Sequence, residues 1–183
     1  MILVKPGYDY LQSYVFAIQR GWLPDHHRED SGRSVLRLID ASPEGFFERF
    51  DDPHALGGPA QMPDGSFVPR LPSIGRWMWD GEFCGSINLR WQNGTPALPE
   101  YCLGHIGYSV VPWKQRMGYA TAALAQLLPH ARSLGLPFVE LTTDAGNEAS
   151  QRVIYANGGV LIERFHKLPQ HGGGPALRFR IAL

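Results

Sequence analysis

A short run of residues between a strand pattern and a helix pattern has the composition of a diphosphate-binding turn. Residues 115–120 read Gln-Arg-Met-Gly-Tyr-Ala. The first N–H groups of a helix have no intrahelical acceptor, and they lie at the positive end of the helix dipole. Gly118 lets a phosphate approach these amides closely, and Arg116 can add a positive charge. The alternative is that the small residues simply begin a well-packed helix.

A second run with polar and small residues begins about thirty residues later. It reads Asn-Glu-Ala-Ser-Gln-Arg-Val-Ile-Tyr-Ala-Asn-Gly-Gly at residues 147–159, and a strand pattern at 138–143 separates it from the first run. Q-x-x-G-x-A after a strand ending Gly-Tyr-Ser-Val-Val-Pro, followed by N-x-x-S and a closing Gly-Gly, resembles the two acyl-CoA motifs of the GNAT acetyltransferase superfamily. The resemblance covers residues 83–165 and is closest to a bacterial branch of predicted acetyltransferases without an assigned substrate.

The resemblance implies acetyl-CoA as co-substrate, with no metal ion. The strand end would offer backbone groups to the pantetheine arm, and the amides of residues 115–121 would hold the diphosphate. Asn147 would contact the cofactor or fix the start of the next helix, and Ser150 would lie near the pantetheine or thiol. The structural alternatives are a helix N-cap for Asn147 and an ordinary polar face for Ser150. The predicted cofactor-binding residues are Val110, Val111, Gln115, Arg116, Met117, Gly118, Tyr119, Ala120, Thr121, Asn147 and Ser150.

The proton donor to the leaving thiolate is harder to assign. Many relatives use a tyrosine on the last helix, but that position falls on Ile154 in this sequence. Tyr155 follows one residue later, about 100° further around the helix. Tyr155 is therefore a weakened candidate against a core aromatic residue, and Ser150 or a water molecule is the other option.

The base that deprotonates an amine acceptor is predicted to be His105. It occupies a strand position, in Gly-His-Ile-Gly-Tyr, where many relatives carry glutamate, and imidazole titrates in a suitable range. A buried histidine that hydrogen-bonds to backbone is the alternative. Glu100 is a second candidate, whereas Glu140 is expected to pair with a side chain of a neighbouring strand. The predicted catalytic residues are thus His105, Ser150 and Tyr155.

The helices and strands that position these residues are predicted from the periodicity of apolar residues and from turn residues in the sequence. Pro129 is expected to kink or split the long helix near Ala125. The order of elements predicts an α/β (α+β) fold, with a mixed, mostly antiparallel central sheet of about six to seven strands flanked by helices, in a single acyltransferase domain over residues 1–183. The predicted strands are 1–5, 76–79, 83–91, 104–111, 138–143, 160–165 and 177–182; the predicted helices are 8–22, 43–50, 118–134 and 149–157, with a weaker apolar run at 34–39.

Four other features of the sequence lie outside these motifs. The Gly- and Pro-rich segment 51–72 is interpreted as an ordered loop over a site or as a mobile one. Segment 171–174, His-Gly-Gly-Gly, is interpreted as the turn of the last hairpin, and His26-His27 as a solvated loop rather than a metal site. An aromatic groove for the acceptor is a further hypothesis, built from Trp77, Trp79, Trp91 and Tyr101.

Composition limits the classes of function. Seventeen basic and seventeen acidic side chains cancel, which argues against nucleic acid and anionic membranes as partners. Two cysteines, no leader-like start and no apolar run long enough to span a bilayer favour a cytoplasmic protein. We expect a transferase that acetylates a small-molecule or peptide amine, and the family resemblance implies a homodimer. The alternatives are a non-catalytic acyl-CoA sensor and, more weakly, a nucleotide-binding protein.

Overall fold

Two antiparallel sheets form the centre of the molecule. The computed structural model describes residues 1–26, 28–62 and 64–183. The strands are β1 (Ile2–Val4), β2 (Ala60–Gln61), β3 (Phe67–Val68), β4 (Ser73–Trp79), β5 (Phe83–Arg90), β6 (Ile106–Val110), β7 (Phe138–Asp144), β8 (Val160–His166) and β9 (Pro175–Ala182). The first sheet has the order β1-β4-β5-β6 and the second the order β7-β9-β8, while β2 and β3 form a separate ribbon.

Five α-helices flank these strands within the described residues. They are α1 (Tyr8–Gln19), α2 (Ser31–Ala41), α3 (Pro43–Phe50), α4 (Tyr119–Ser133) and α5 (Glu148–Ala156). The predicted mixed, mostly antiparallel architecture with flanking helices is therefore confirmed. Of the expected kink or split at Pro129, the split is wrong, because α4 continues through this residue. Ala125, whose carbonyl loses its partner at Pro129, lies on the exposed side of the helix, where water can replace the missing N–H.

Both faces of the first sheet are buried, because neighbouring strand residues point to opposite faces. Met78 packs in a core with α4, whereas Trp77 packs in an aromatic core beneath α1 and α3. The ring of Trp77 stacks on Tyr14, with 4.4 Å between the ring centroids. Trp77 is 0% exposed and Trp91 is 7% exposed. The predicted aromatic groove is therefore wrong for these two tryptophans, which belong to the interior.

The two sheets meet where the segment before β6 crosses β7. The His105 N–H donates to the Glu140 carbonyl at 2.7 Å, and the Glu140 N–H donates to His105 Nδ1 at 3.0 Å. Thr142 Oγ1 donates to the Leu103 carbonyl at 2.6 Å. A Cβ on Gly104 would lie 3.1 Å from the Glu140 carbonyl oxygen, so glycine permits this close approach. β6 and β7 are otherwise edge strands of different sheets, which leaves room for a cleft.

The segment between α3 and β4 is ordered by its own polar contacts. Asp52 is buried, and its carboxylate accepts the N–H groups of Leu56 and Gly57 at 2.8 and 2.9 Å. Arg70 lies 3.8 Å from the same carboxylate. These contacts hold the ribbon β2–β3 in place beside α3. None of the helices in the described ranges has the length and apolar character of a membrane span.

Candidate active site

A cleft of about 500 Å³ lies beside the C-terminal half of β6. The turn into α4 forms its floor, and the first turns of α4 and α5 form its sides. Because two helix N-termini meet here, unpaired backbone N–H groups face the cleft. The predicted binding residues that line it are Val110, Gln115, Arg116, Gly118, Tyr119, Ala120, Thr121, Asn147 and Ser150.

The turn before α4 has two residues in the left-handed region. Arg116 has φ +63° and Gly118 has φ +78°. Gln115 N–H reaches the Pro112 carbonyl at 3.4 Å, but the next three N–H groups, through Gly118, have no acceptor within the described parts of the chain. A Cβ on Gly118 would meet no atom within 4 Å, so the space next to these amides is open. Successive free N–H groups in such a turn form a concave anion-binding site that runs into the helix N-terminus.

The charges around this turn are unevenly paired. Lys114 Nζ is bound by Asp80 at 2.9 Å and by Glu82 at 2.8 Å. Tyr119 Oη also donates to Asp80, at 2.5 Å. Burial opposes ionisation of Asp80, but the hydrogen bonds from Tyr119 and Lys114 hold the pKa of that carboxyl well below its usual range. The Lys114 charge is thus already neutralised, whereas Arg116 has no carboxylate partner in the regions the structure describes.

A pair of hydroxyl groups, one from α5 and one from β6, lines the cleft. Asn147 is the N-cap of α5, and its Oδ1 accepts the Ser150 N–H at 3.0 Å. Ser150 Oγ lies 2.8 Å from Tyr108 Oη of β6, and either group can be the donor. Burial raises the pKa of Tyr108 to about 12, so its phenol is protonated at neutral pH. This pair can deliver a proton to a group that lies between β6 and α5.

The opposite wall of the cleft carries an imidazole and a second hydroxyl. His26, in the segment between α1 and α2, lines the cleft, and its Nε2 lies 2.7 Å from Ser109 Oγ. The buried Trp22 donates its Nε1–H to the same Ser109 oxygen at 3.0 Å. Ser109 therefore faces away from Tyr108, its neighbour on β6, as strand alternation requires. A histidine in this arrangement can accept a proton at the entrance to the cleft.

Comparison with known proteins identifies the family. Residues 68–160, slightly more than half of the chain, match the family model of the acetyltransferase (GNAT) domain. The chain belongs to the GNAT acetyltransferase family. It is therefore an acetyl-CoA-dependent acetyltransferase, as the two sequence motifs predict.

Solved structures of GNAT acetyltransferases share its fold. The microcin C7 self-immunity acetyltransferase MccE, solved with acetyl-CoA and AMP, is 11% identical over 99% of this chain and 91% of its own, with a TM-score of 0.65. A variant of spermidine N-acetyltransferase SpeG from Vibrio cholerae is 12% identical over 100% of this chain and 95% of its own, with a TM-score of 0.62. No curated protein matches the chain.

Two predicted catalytic residues of this acetyltransferase do not line the cleft. His105 is 1% exposed, and its Nδ1 is occupied by the Glu140 N–H at the junction of the sheets. Burial lowers the pKa of His105 below its ordinary value, even though Glu140 opposes the shift. Tyr155 is 53% exposed and rests edge-on against the ring of Phe179, with 5.1 Å between centroids. Of the predicted catalytic set, Ser150 alone is among the lining residues.

Other predicted residues of the acetyltransferase lie at the margins of the site. Val111 is buried, and its N–H donates to the Cys84 carbonyl at 2.9 Å; Met117 is an exposed side chain in the turn. Glu140 pairs with Arg180 of β9 at 2.6 Å, which confirms that it bridges neighbouring strands. His26, interpreted from sequence as part of a solvated loop, lies in the cleft, and His27 lies outside the described residues.

Sequence reasoning does not assign Tyr108, Ser109 or His26 to the site of the acetyltransferase. The strand pattern predicts that Tyr108 and Ser109 lie on β6. Their hydrogen-bond partners are distant in sequence, because Ser150 is 42 residues from Tyr108 and His26 is 83 residues from Ser109. Strand alternation predicts that neighbouring β6 residues face opposite sides. No local signal indicates which helix or segment covers each side, so these two contacts could not be predicted.

Proposed function

We propose that this protein, acting as one domain over residues 1–183, transfers the acetyl group of acetyl-CoA directly to a primary amine of a small molecule or peptide. The observation that carries the proposal is the cleft itself. It is lined by the turn before α4 and by two hydrogen-bonded pairs, Tyr108–Ser150 and His26–Ser109. Direct transfer in a ternary complex needs both substrates in one space, and the cleft is open at the turn and at the His26 end. No covalent enzyme intermediate is required.

The diphosphate of the cofactor would lie on the turn before α4. The N–H groups of Arg116 to Thr121, together with the free Arg116 charge, supply donors for its oxygens. The pantetheine arm would then run beside Val110 toward α5, with Asn147 fixing the start of that helix. This path would bring the thioester sulphur toward Ser150.

The acceptor amine must lose a proton for the reaction to proceed. A lysine-like amine is neutral in only about one molecule in 2,500 at pH 7. We assign the base to His26, with Ser109 as its hydrogen-bond partner, because His26 lines the cleft whereas His105 is buried and does not line it. His105 is instead proposed to position β6 relative to β7.

The bond changes balance without a further reactant. The amine nitrogen attacks the thioester carbon, the C–S bond breaks, the proton leaves the nitrogen to His26, and the thiolate takes a proton from Ser150. Tyr108 can replenish the Ser150 proton through their 2.8 Å contact. A positioned acid or base of this kind typically contributes about 10²–10⁴-fold to a rate. Tyr155 is an alternative donor, which its exposed setting against Phe179 does not favour.

Calorimetric titration with acetyl-CoA tests the proposal. Gly118→Glu places a bulky anion next to the free amides, so acetyl-CoA binding should be lost. Gly135→Glu is the matched control, because Gly135 also has φ +78° and a Cβ added there would meet no atom within 4 Å, but it lies beyond the other end of α4. Both variants carry the same backbone strain, so only Gly118→Glu should lose binding. Equal binding by the two variants, or no binding by the wild type, would overturn the proposal.

A further inference from the structure

A second cavity, of about 350 Å³, lies on the α3 side of the first sheet. It is enclosed by the end of α3, the ribbon β2–β3, the end of β5 and the segment that follows it. The polar residues that matter for its chemistry are Arg49, Arg70, Asn88, Arg90, Tyr101 and Cys102. No aspartate or glutamate is among the described residues that line it.

The arginines of this second cavity are not equally paired. Arg70 lies 3.8 Å from the Asp52 carboxylate and donates to the Gly58 carbonyl at 2.7 Å, so its charge is offset. Arg49 and Arg90 have no carboxylate within 4 Å across the described ranges of the chain. Two uncompensated guanidinium groups thus border one cavity. Such a cavity favours an anion and disfavours a cation.

Arg90 is held in place before any ligand arrives. Its Nη2 donates to Asn88 Oδ1 at 2.7 Å, and the same oxygen accepts the Gly107 N–H at 3.2 Å. A Cβ on Gly107 would lie 3.3 Å from both Arg90 Nη2 and Asn88 Oδ1. Glycine at 107 therefore leaves room for the guanidinium to lie across β6. A fixed planar guanidinium is suited to bidentate recognition of a carboxylate.

The second cavity is on the same face of the sheet as the proposed base. Asn88 is opposite Gly107 in the ladder, and Ser86 is opposite Ser109. Gly107 and Ser109 are two residues apart on β6, which corresponds to about 7 Å along the strand. A molecule whose amine reaches the Ser109 side of the cleft could extend by this distance to the Arg90 side.

We propose that the second cavity is the anion subsite of the acceptor, so that the substrate is an amine that also carries a carboxylate, such as an amino acid or an acidic peptide. The inference rests on the proposed function and adds the substrate class to it. The same charges disfavour polyamines and other polycations. Arg90 would receive the carboxylate bidentately, and Arg49 would add long-range attraction at the mouth of the cavity.

Binding of a dicarboxylate tests the subsite without any need for turnover. Glutarate should raise the melting temperature of the wild type at constant ionic strength, whereas its uncharged diamide should not. Arg90→Met should weaken glutarate binding at least tenfold. Arg37→Met is the matched control, since Arg37 is an exposed arginine on α2 that lines neither cavity, and it should bind as the wild type does. Arg49→Met, at an exposed position, repeats the test if Arg90→Met does not fold.

Matched acceptors then link the subsite to transfer. With the C-terminally amidated dipeptides Gly-Glu, Gly-Gln and Gly-Lys as amines, only the first carries a carboxylate. The value of kcat/KM should fall in that order, and Arg90→Met should remove the preference while acetyl-CoA binding stays unchanged. Equal use of the three dipeptides by the wild type, or glutarate binding that is unaffected by Arg90→Met, would overturn the inference. Failure of the wild type to bind acetyl-CoA would instead overturn the proposed function, and the glutarate result would still decide whether the subsite exists.

Discussion

At Ile154 the chain lacks the tyrosine that the family resemblance predicts for this helix. The Ile154 side chain is buried in the core with β7 and β9, so it has no access to the cleft. A phenol reaches the same helix from β6 instead, where Tyr108 contacts Ser150 at 2.8 Å. The proton donor is thus proposed to have moved from helix to strand, with the serine hydroxyl as the contact to the thiolate.

Replacing Tyr108 by phenylalanine tests this assignment. We expect kcat to fall by about 10²-fold, since the relay loses its proton source, while acetyl-CoA affinity changes little. Burial raises the pKa of Tyr108 to about 12, so the phenol stays protonated below that pH. Its activity contribution should be lost only as the pH rises through about 12, and steady-state rates from pH 7 to 10 should show no decline from this group.

Tyr155→Phe is the matched control for that experiment, because it removes a phenol from α5 outside the cleft. Its rate should equal that of the wild type. A large loss in Tyr155→Phe with a normal rate in Tyr108→Phe would show that the helix tyrosine is the donor after all.

The base assignment leads to a separate prediction at His26. His26→Gln keeps a side chain that can hydrogen-bond to Ser109 but cannot accept the amine proton. We expect kcat/KM for the acceptor to fall by about 10²-fold at pH 7, with acetyl-CoA binding retained. His54→Gln, at an exposed histidine in the segment after α3, should leave the rate unchanged. Unchanged turnover in His26→Gln would remove the residue from the mechanism.

At the scale of elements, the sequence predicts best where the signal is local. Asp80-Gly81 between two β-rich runs predicts the β4–β5 hairpin, and the register confirms it. The run 34–39 is only a weak apolar signal, yet it lies within α2 (Ser31–Ala41). The helix α2 is stabilised by burial of its amphipathic face against α3 and the first sheet, and these contacts are not visible in the local sequence. Propensity alone therefore does not predict a helix that tertiary packing stabilises.

The candidate site divides in the same way. The anion-binding turn is contiguous, so its glycine and its helix start can be predicted from six residues. The α5 start is equally local, and Asn147 caps it as an N-cap asparagine should. The relays that join Tyr108 to Ser150 and Ser109 to His26 depend on which elements the fold brings together. Contacts across such separations could not be predicted from spacing within one segment.

Over the whole molecule, the cleft exists because two sheets touch at one corner and separate beyond it. His105 and Glu140 make that corner with two reciprocal hydrogen bonds. Since Nδ1 accepts the Glu140 N–H, the imidazole must be neutral in the folded protein. A protonated ring would direct a second N–H at the Glu140 N–H and separate the sheets that shape the site.

The pH dependence of stability tests this corner. Burial lowers the pKa of His105 in the folded state, whereas the unfolded chain takes up the proton near pH 6.5. The contribution is therefore fully present above pH 6.5 and is lost as the pH falls, by up to about 1.4 kcal/mol per pH unit. His105→Gln can still accept the Glu140 N–H through its side-chain oxygen but does not titrate. Urea unfolding between pH 7 and 5 should thus show a flatter decline for His105→Gln than for the wild type. The control is His130→Gln, at an exposed histidine on α4, which should show the same dependence of unfolding free energy on pH as the wild type. Equal dependence in all three proteins would show that protonation of His105 does not weaken the contact between the sheets.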